Sequence, residues 1–240
     1  SAASRYIYTY LNPVIDKIFI NTDNNILDYI IEENIQIEPE YYAPIIPMVL
    51  VNGTVGIGTG WSTRIPCYNP IEIRDYLISK INGGQCKIPS VYYNGFTGEI
   101  IEKETVVITR GTIKLNKNVF DITELPIGVW TEDYKIFLNK LRETGLIKGY
   151  TEHHKINTVH FKVNMTATQL KNVKDAYDFF KLESKIPLTN LTLFTPDKKI
   201  KVYENVKEIL DNWFDWRITL FTKRKEYILN NNEKEIKSLN

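Results

Sequence analysis

Residues 38–66, EPEYYAPIIPMVLVNGTVGIGTGWSTRIP, limit the fold more than any other stretch of this chain. Pro39, Pro44 and Pro47 punctuate its apolar first half. Proline removes backbone donors and fixes φ, so extended chain packed inside the protein is expected there, not helix. Asn52-Gly53 is a turn signal, and Gly56, Gly58 and Gly60 follow at every second position. Glycine at that density allows positive φ or close approach of the backbone to a partner. Ile57 stands between two of these glycines as a bulky apolar side chain on a bare loop. It either folds back into the core, as most such residues do, or acts as a wedge for an apolar slot such as the gap between stacked bases. The spacing is not a dinucleotide fingerprint, and no Gly-Lys-Ser/Thr phosphate loop is present. Any phosphate contact here is expected from irregular backbone.

A chain of 240 residues has room for one large or two modest domains. Its net charge of +1 is not that of a protein that coats DNA by overall basicity, so nucleic-acid contact would need a local patch. Cys67 and Cys86 lack metal-ligand spacing and fit a reducing, intracellular setting. No apolar run is long enough to span a membrane, and no signal peptide is seen. The sequence opens at Ser1 without methionine and stops at Asn240 inside a polar helical pattern, which reads as a piece of a larger protein. Abundant Ile, Asn, Lys and Tyr hint at an A/T-rich genome, such as that of a large DNA virus or a protist.

Near the start, Arg5-Tyr6 has chemical interest. A phenol with a pKa of about 10 is a poor nucleophile at neutral pH. An adjacent guanidinium can hold a phosphate under attack and spread the charge that develops on its oxygens. With 15 tyrosines in the chain, the dipeptide alone also reads as an ordinary half-buried aromatic, with Tyr8 and Tyr10 sharing a strand face. Asn12-Pro13 predicts a helix start. Asp23 is expected to cap a second helix with Ile26, Leu27, Ile30 and Ile31 inward. Asn69-Pro70 begins a helix whose face is Ile73, Tyr76, Leu77 and Ile81, stopped by Gly83-Gly84. Arg64, Arg74 and Lys80 are candidate DNA contacts, Arg64 foremost because it closes the glycine loop.

From Ser90 to Leu125 the pattern turns to β, with a hairpin about residues 114–118. A helix begins at Thr131 and ends at Gly145. VHFKV (159–163) alternates as a half-buried strand. Thr166 and Gln169 form a capping box for a helix carrying Leu170, Val173, Tyr177 and Phe180. LTLF (191–194) and KIKVY (199–203) form another hairpin. His153, His154 and His160 lack the further ligands a zinc site needs and read as structural. Glu38 and Glu40 could form an acid–base pair, although a structural role fits better. Asn205 caps the last element. No Gly or Pro interrupts residues 206–239, so a helix longer than roughly 40 Å is expected. Its apolar stripe thins after Ile228, which suggests pairing with another helix. Lys223, Arg224 and Lys225 read equally as a solvated face or as a phosphate contact. The fold class expected is α+β.

The motifs AASRYIYTYL (2–11), EPEYY (38–42), PIIPMVLVNG (44–53), GIGTGWST (56–63), ITELP (122–126) and LTLF together resemble the type II DNA topoisomerases of the eukaryotic and viral single-chain kind. Departures are small: Thr54-Val55 stand where the family more often has Ala-Glu, and Tyr41-Tyr42 where Trp-Tyr is common. The resemblance implies that Tyr6 is the nucleophile that becomes linked to a DNA 5′-phosphate, with Arg5 stabilising the transition state. It implies that Ile57, flanked by Gly56 and Gly58, inserts into the bent duplex. It implies the C-terminal part of a winged-helix-like domain over 1–84, a tower domain over 85–204 with residues such as Lys114 and Lys117 near the flanks of the DNA, and the start of a coiled-coil arm over 205–240. A homodimer on double-stranded DNA follows, with no membrane role and an intracellular location: nucleus, cytoplasm or a viral replication site. Mg²⁺ and ATP would be bound by regions outside this chain, which itself has no metal ligands, so the piece alone is expected to be inactive. The rival readings are a non-catalytic DNA-bending winged-helix module and a bacterial-type breakage chain separate from its ATPase chain.

Overall fold

The computed structural model describes residues 3–239; Ser1, Ala2 (the first position of the 2–11 motif) and Asn240 lie outside it. Along the chain, a 3₁₀ turn at Ser4–Tyr6 precedes α1 (Ile15–Ile18), a 3₁₀ helix at Asn21–Ile26, β1 (Tyr29–Glu32), β2 (Ile35–Pro39) and α2 (Met48–Asn52). Then come β3 (Thr54–Gly58), β4 (Trp61–Ile65), α3 (Pro70–Ile81), β5 (Glu99–Glu102), β6 (Val106–Arg110), β7 (Thr112–Asn116) and β8 (Val119–Glu124). The remainder is α4 (Thr131–Glu143), β9 (Gly149–Glu152), β10 (Phe161–Asn164), α5 (Ala167–Leu170), α6 (Ala176–Phe179), β11 (Glu183–Pro187), β12 (Leu191–Phe194), β13 (Ile200–Tyr203) and α7 (Val206–Leu239). The mixed α+β class is as expected, and a long C-terminal helix is present.

The chain divides into two compact units. One comprises residues 1–51, 70–88 and 193–240; the other comprises 52–69 and 89–192. In the first, Tyr76 and Leu77 of α3 and Ile209 and Leu210 of α7 are buried. The Tyr76 hydroxyl donates to Asp211 at 2.7 Å, so a buried aromatic keeps its polar end satisfied. Asn205 caps α7 as predicted, accepting from the Glu208 amide at 3.0 Å. Ile81, assigned to the inner face of α3, is exposed instead.

Four expectations are overturned. Asp23 caps no α-helix: it lies buried in the 3₁₀ segment, where it accepts from Arg217 at 2.5 Å and from Arg224 at 3.0 Å. Arg224 is thereby committed to an internal ion pair, neither simply solvated nor free for phosphate. Ile30 and Ile31 lie in β1, exposed, because Glu33 and Asn34 both adopt positive φ and fold β1 onto β2 as a hairpin. Residues 48–52 form a helical turn where extended chain was expected, since Pro47 precedes the turn and costs it no interior hydrogen bond. The helix predicted from Asn12-Pro13 is one turn long, starting at Ile15, with the Asn12 side chain accepting from the Val14 amide at 3.0 Å.

In the second unit a four-stranded antiparallel sheet of order β7-β8-β10-β9 packs its buried side with α4. Phe120, Ile122, Phe161 and Val163 from the strands meet Tyr134, Leu138 and Leu141 from the helix. The Tyr134 hydroxyl donates to the Phe180 carbonyl at 2.8 Å, and burial pushes its phenol upward. The Thr166 capping box forms as predicted, yet the helix it opens lasts one turn. Asp175 recaps a second turn, α6, so Leu170 and Phe180 do not lie on one continuous helix. The unit also holds a three-stranded sheet of order β11-β6-β5 and the two-stranded β3-β4 sheet.

Candidate functional site

The candidate nucleophile sits on a short, exposed segment of the first unit. Residues 4–6 make one 3₁₀ turn closed by the Tyr6 amide donating to the Ala3 carbonyl at 2.9 Å. No strand follows, so Tyr8 and Tyr10 share no sheet face, and both stand out into solvent. Tyr6 is 69% exposed. The Arg5 guanidinium carbon lies 5.0 Å from the centre of the Tyr6 ring, a cation–π distance. Among the described residues Arg5 makes no ion pair, so its donors remain available to an anion. The pair combines a hydroxyl nucleophile with a guanidinium able to bind the oxygens of a phosphate.

The glycine-rich stretch belongs to the second unit and is regular, not irregular as expected. β3 and β4 form an antiparallel hairpin in the register Thr54↔Ile65, Val55↔Arg64, Gly56↔Thr63, Ile57↔Ser62 and Gly58↔Trp61. Its tight turn needs a residue with positive φ, supplied by Gly60 at +79°. At the base, Gly53 adopts φ +64°, and a Cβ there would lie 2.8 Å from the Ile65 carbonyl oxygen. Only glycine closes the strand this near its partner. Ile57 is 92% exposed, which excludes the core-packed reading. On the far edge of β4, the Asn190 carbonyl accepts from the Arg64 amide at 2.9 Å and its side chain donates to the Ser62 hydroxyl at 2.8 Å. Asn190 lies far along the chain, and no local signal announced it.

Arg64 is half-buried and, among the described residues, makes no ion pair. Burial pushes the Tyr93 phenol up to about 12, partly offset by the positive charge of Arg64. The other basic candidates are committed elsewhere: Arg74 pairs with Asp75 at 2.7 Å, and Lys80 is drawn to Asp211 and lies over the Phe214 ring. Burial raises the Cys67 thiol, whose Sγ lies 3.1 Å from the Asn52 carbonyl oxygen, so it is a packing group and not a reactive thiol. Glu40 is taken by Lys198 at 2.7 Å, so it forms no acid–base pair with Glu38. His160 pairs with Asp121 at 2.8 Å, and His154 Nδ1 accepts from the His160 amide at 2.9 Å, both structural contacts. Among the described residues no group of three or more His, Cys, Asp or Glu could hold a metal ion. No helix among them is long and apolar enough to cross a membrane.

All of residues 1–240 match the family model described as the A subunit of DNA gyrase/topoisomerase IV. The chain belongs to this family of type II topoisomerases. Within it, the mitochondrial DNA topoisomerase 2 of Dictyostelium discoideum is 41% identical over 246 residues, covering 100% of this chain and 19% of that protein. DNA topoisomerase 2 of Saccharomyces cerevisiae is 38% identical over 239 residues, covering 95% of the chain and 16% of the relative. The crystal structure of the Plasmodium falciparum topoisomerase II DNA-binding, cleavage and re-ligation domain superposes with a TM-score of 0.92 at 37% identity, covering 98% of this chain and 33% of that one. The topoisomerase chain described here therefore spans about a fifth of the length of those curated relatives.

Proposed function

We propose that this chain is the central part of the DNA breakage–reunion region of an ATP-dependent type II topoisomerase that acts as a homodimer on double-stranded DNA. The observation that carries this reading is the exposed Arg5–Tyr6 pair, with the guanidinium 5.0 Å from the phenol ring, in a chain that matches the family from end to end. Tyr6 Oη attacks a backbone phosphorus; the P–O3′ bond breaks as the P–O(Tyr) bond forms, and the proton passes to the departing 3′-oxygen. One phosphoester replaces another, so the linkage energy is conserved and the reverse attack by the 3′-hydroxyl reseals the strand. Arg5 binds the non-bridging oxygens as charge develops on them. Two protomers supply two tyrosines, one per strand, and a second duplex passes through the break.

Ile57 serves as the wedge that opens a base step of the bent duplex, with Gly56 and Gly58 leaving its flanks bare and Arg64 near the phosphates. We assign residues 1–84 to the C-terminal part of a winged-helix-like domain, 85–204 to a tower and 205–240 to the start of a coiled-coil arm. The strands of the two larger sheets fall within 85–204, and α7 begins at Val206, which supports this division. Mg²⁺ and ATP belong to the complete enzyme. The described residues offer no carboxylate cluster that fits Mg²⁺, so no step here runs through it. The enzyme works on intracellular DNA, in the nucleus, the cytoplasm or a viral replication site.

The test uses the full-length parent with supercoiled DNA and Mg²⁺, trapped with denaturant. Peptide mapping is expected to find the 5′-linked nucleotide on Tyr6, and Tyr6→Phe to abolish the adduct. An adduct on another tyrosine, or cleavage that persists in Tyr6→Phe, would sink the assignment and favour a non-catalytic DNA-bending module.

A further inference from the structure

We infer that Val55 is a second DNA contact of the β3–β4 hairpin, so that the hairpin meets the duplex with a two-point apolar edge and not with one isoleucine. This rests on the proposed role of Ile57 as a wedge. Val55 is 77% exposed, and Gly56 alone separates it from Ile57 in a regular strand. Period two puts both side chains on one face, about 6.6–6.8 Å apart along the strand. Their cross-strand partners are Arg64 and Ser62, so the face carries two bare apolar groups, a hydroxyl and a guanidinium.

β3 turns both of its large apolar residues outward. A half-solvated antiparallel strand ordinarily turns apolar residues inward and polar ones outward. Here the inward positions of β3 are Thr54 and Gly56, opposite Ile65 and Thr63 of β4, so Ile65 is the one buried apolar side chain the hairpin turns inward. Val55 and Ile57, the only large apolar residues of β3, point out. Val55 and Ile57 side by side on one strand face form an apolar strip that a partner can cover.

The spacing suits a duplex. Two residues along a strand match about two base-pair rises of 3.4 Å. With Ile57 seated in one opened step, Val55 lies against the sugars and base edges of the adjoining steps. Arg64, directly opposite Val55, then faces the flanking phosphates, and no carboxylate competes for it among the described residues. Two adjoining contacts favour sequences that unstack easily, above all pyrimidine–purine steps. Val55 therefore selects where the enzyme bends and cuts, and it takes no part in the chemistry.

The experiment compares Val55→Thr and Ile57→Ala in the full-length enzyme. Threonine keeps the β-branched shape and strand propensity at an exposed site, so folding is undisturbed. Bending is read by energy transfer across an end-labelled duplex, and cleavage positions are mapped on a long DNA. Val55→Thr is expected to lower the bent population about tenfold by loss of one apolar contact, and to redistribute cleavage sites. On a duplex with mismatches at the bent steps, where unstacking is already supplied, cleavage by the variant should return to the parent level. If Ile57→Ala abolishes bending while Val55→Thr leaves both bend and site map unchanged, the second contact is overturned and the wedge stands. If neither variant alters bending, the wedge itself falls, and this inference with it.

Discussion

Asp23→Ala separates two accounts of the same residue by magnitude. As a helix cap, its loss would cost about 1 kcal/mol. The structure gives it a different task. Its side chain and that of Arg217 are each 3% exposed, 2.5 Å apart, and Arg224 joins at 3.0 Å. Arg217 Nε and Nη1 are buried without other partners, so Asp23 supplies the one acceptor found for that guanidinium among the described residues. Removing it strands a buried charge, which costs about 3–5 kcal/mol. For a chain of this size that lowers Tm by about 10 °C. The assay is urea unfolding followed by tryptophan fluorescence in a Trp61→Phe, Trp130→Phe background, where the signal comes from Trp213 and Trp216 on α7. Replacing the pair together, as Asp23→Leu with Arg217→Met, should recover most of the loss, because an apolar pair needs no desolvation of charge. A loss below about 1 kcal/mol for Asp23→Ala would refute the buried-charge account.

Asp211 gives a pH prediction. Burial opposes its ionisation, but Lys207 at 2.6 Å, Lys80 and the Tyr76 hydroxyl outweigh that and hold its carboxyl at about 2. A depressed folded pKa stabilises fully above the ordinary carboxylate value of 3.8 and ceases to do so as pH falls through about 2. The stability difference between the parent chain and Asp211→Asn should therefore shrink between pH 5 and pH 2; an unchanged difference in denaturant titrations would refute the linkage. Gly111→Ala should destabilise by about 2 kcal/mol or more, because its Cβ would lie 2.3 Å from the Glu124 carbonyl oxygen. Thermal unfolding checks this, and a variant as stable as the parent would mean that β7 and β8 can part at no cost.

Several local features were legible because a neighbour in sequence is also the neighbour in space. The Asn205 cap, the Thr166 box, the positive φ of Gly145 and the alternation of Phe161 and Val163 each involve residues within a few positions of one another. The β1–β2 hairpin escaped notice because its turn uses Glu33 at positive φ, where a glutamate sends no such signal. Within the candidate site, Tyr6 and Ile57 stood out through motif resemblance, whereas the exposure of Val55 and the bracing of β4 by Asn190 did not.

By itself, then, the sequence determined the Asn205 and Thr166 caps, the uninterrupted last helix and the two motifs that mark the family. These depend on backbone sterics and on hydrogen bonds spanning three or four residues. Only the tertiary structure decided what Asp23 and Arg217 do for one another across 194 residues, that Arg224 and Lys80 are already occupied, and which face of the glycine hairpin stays bare. Charge partners and exposure are set by what the folded chain brings near. Spacing along the sequence carries no record of that, because an ion pair acts through a few ångströms of space whatever the length of chain between its members.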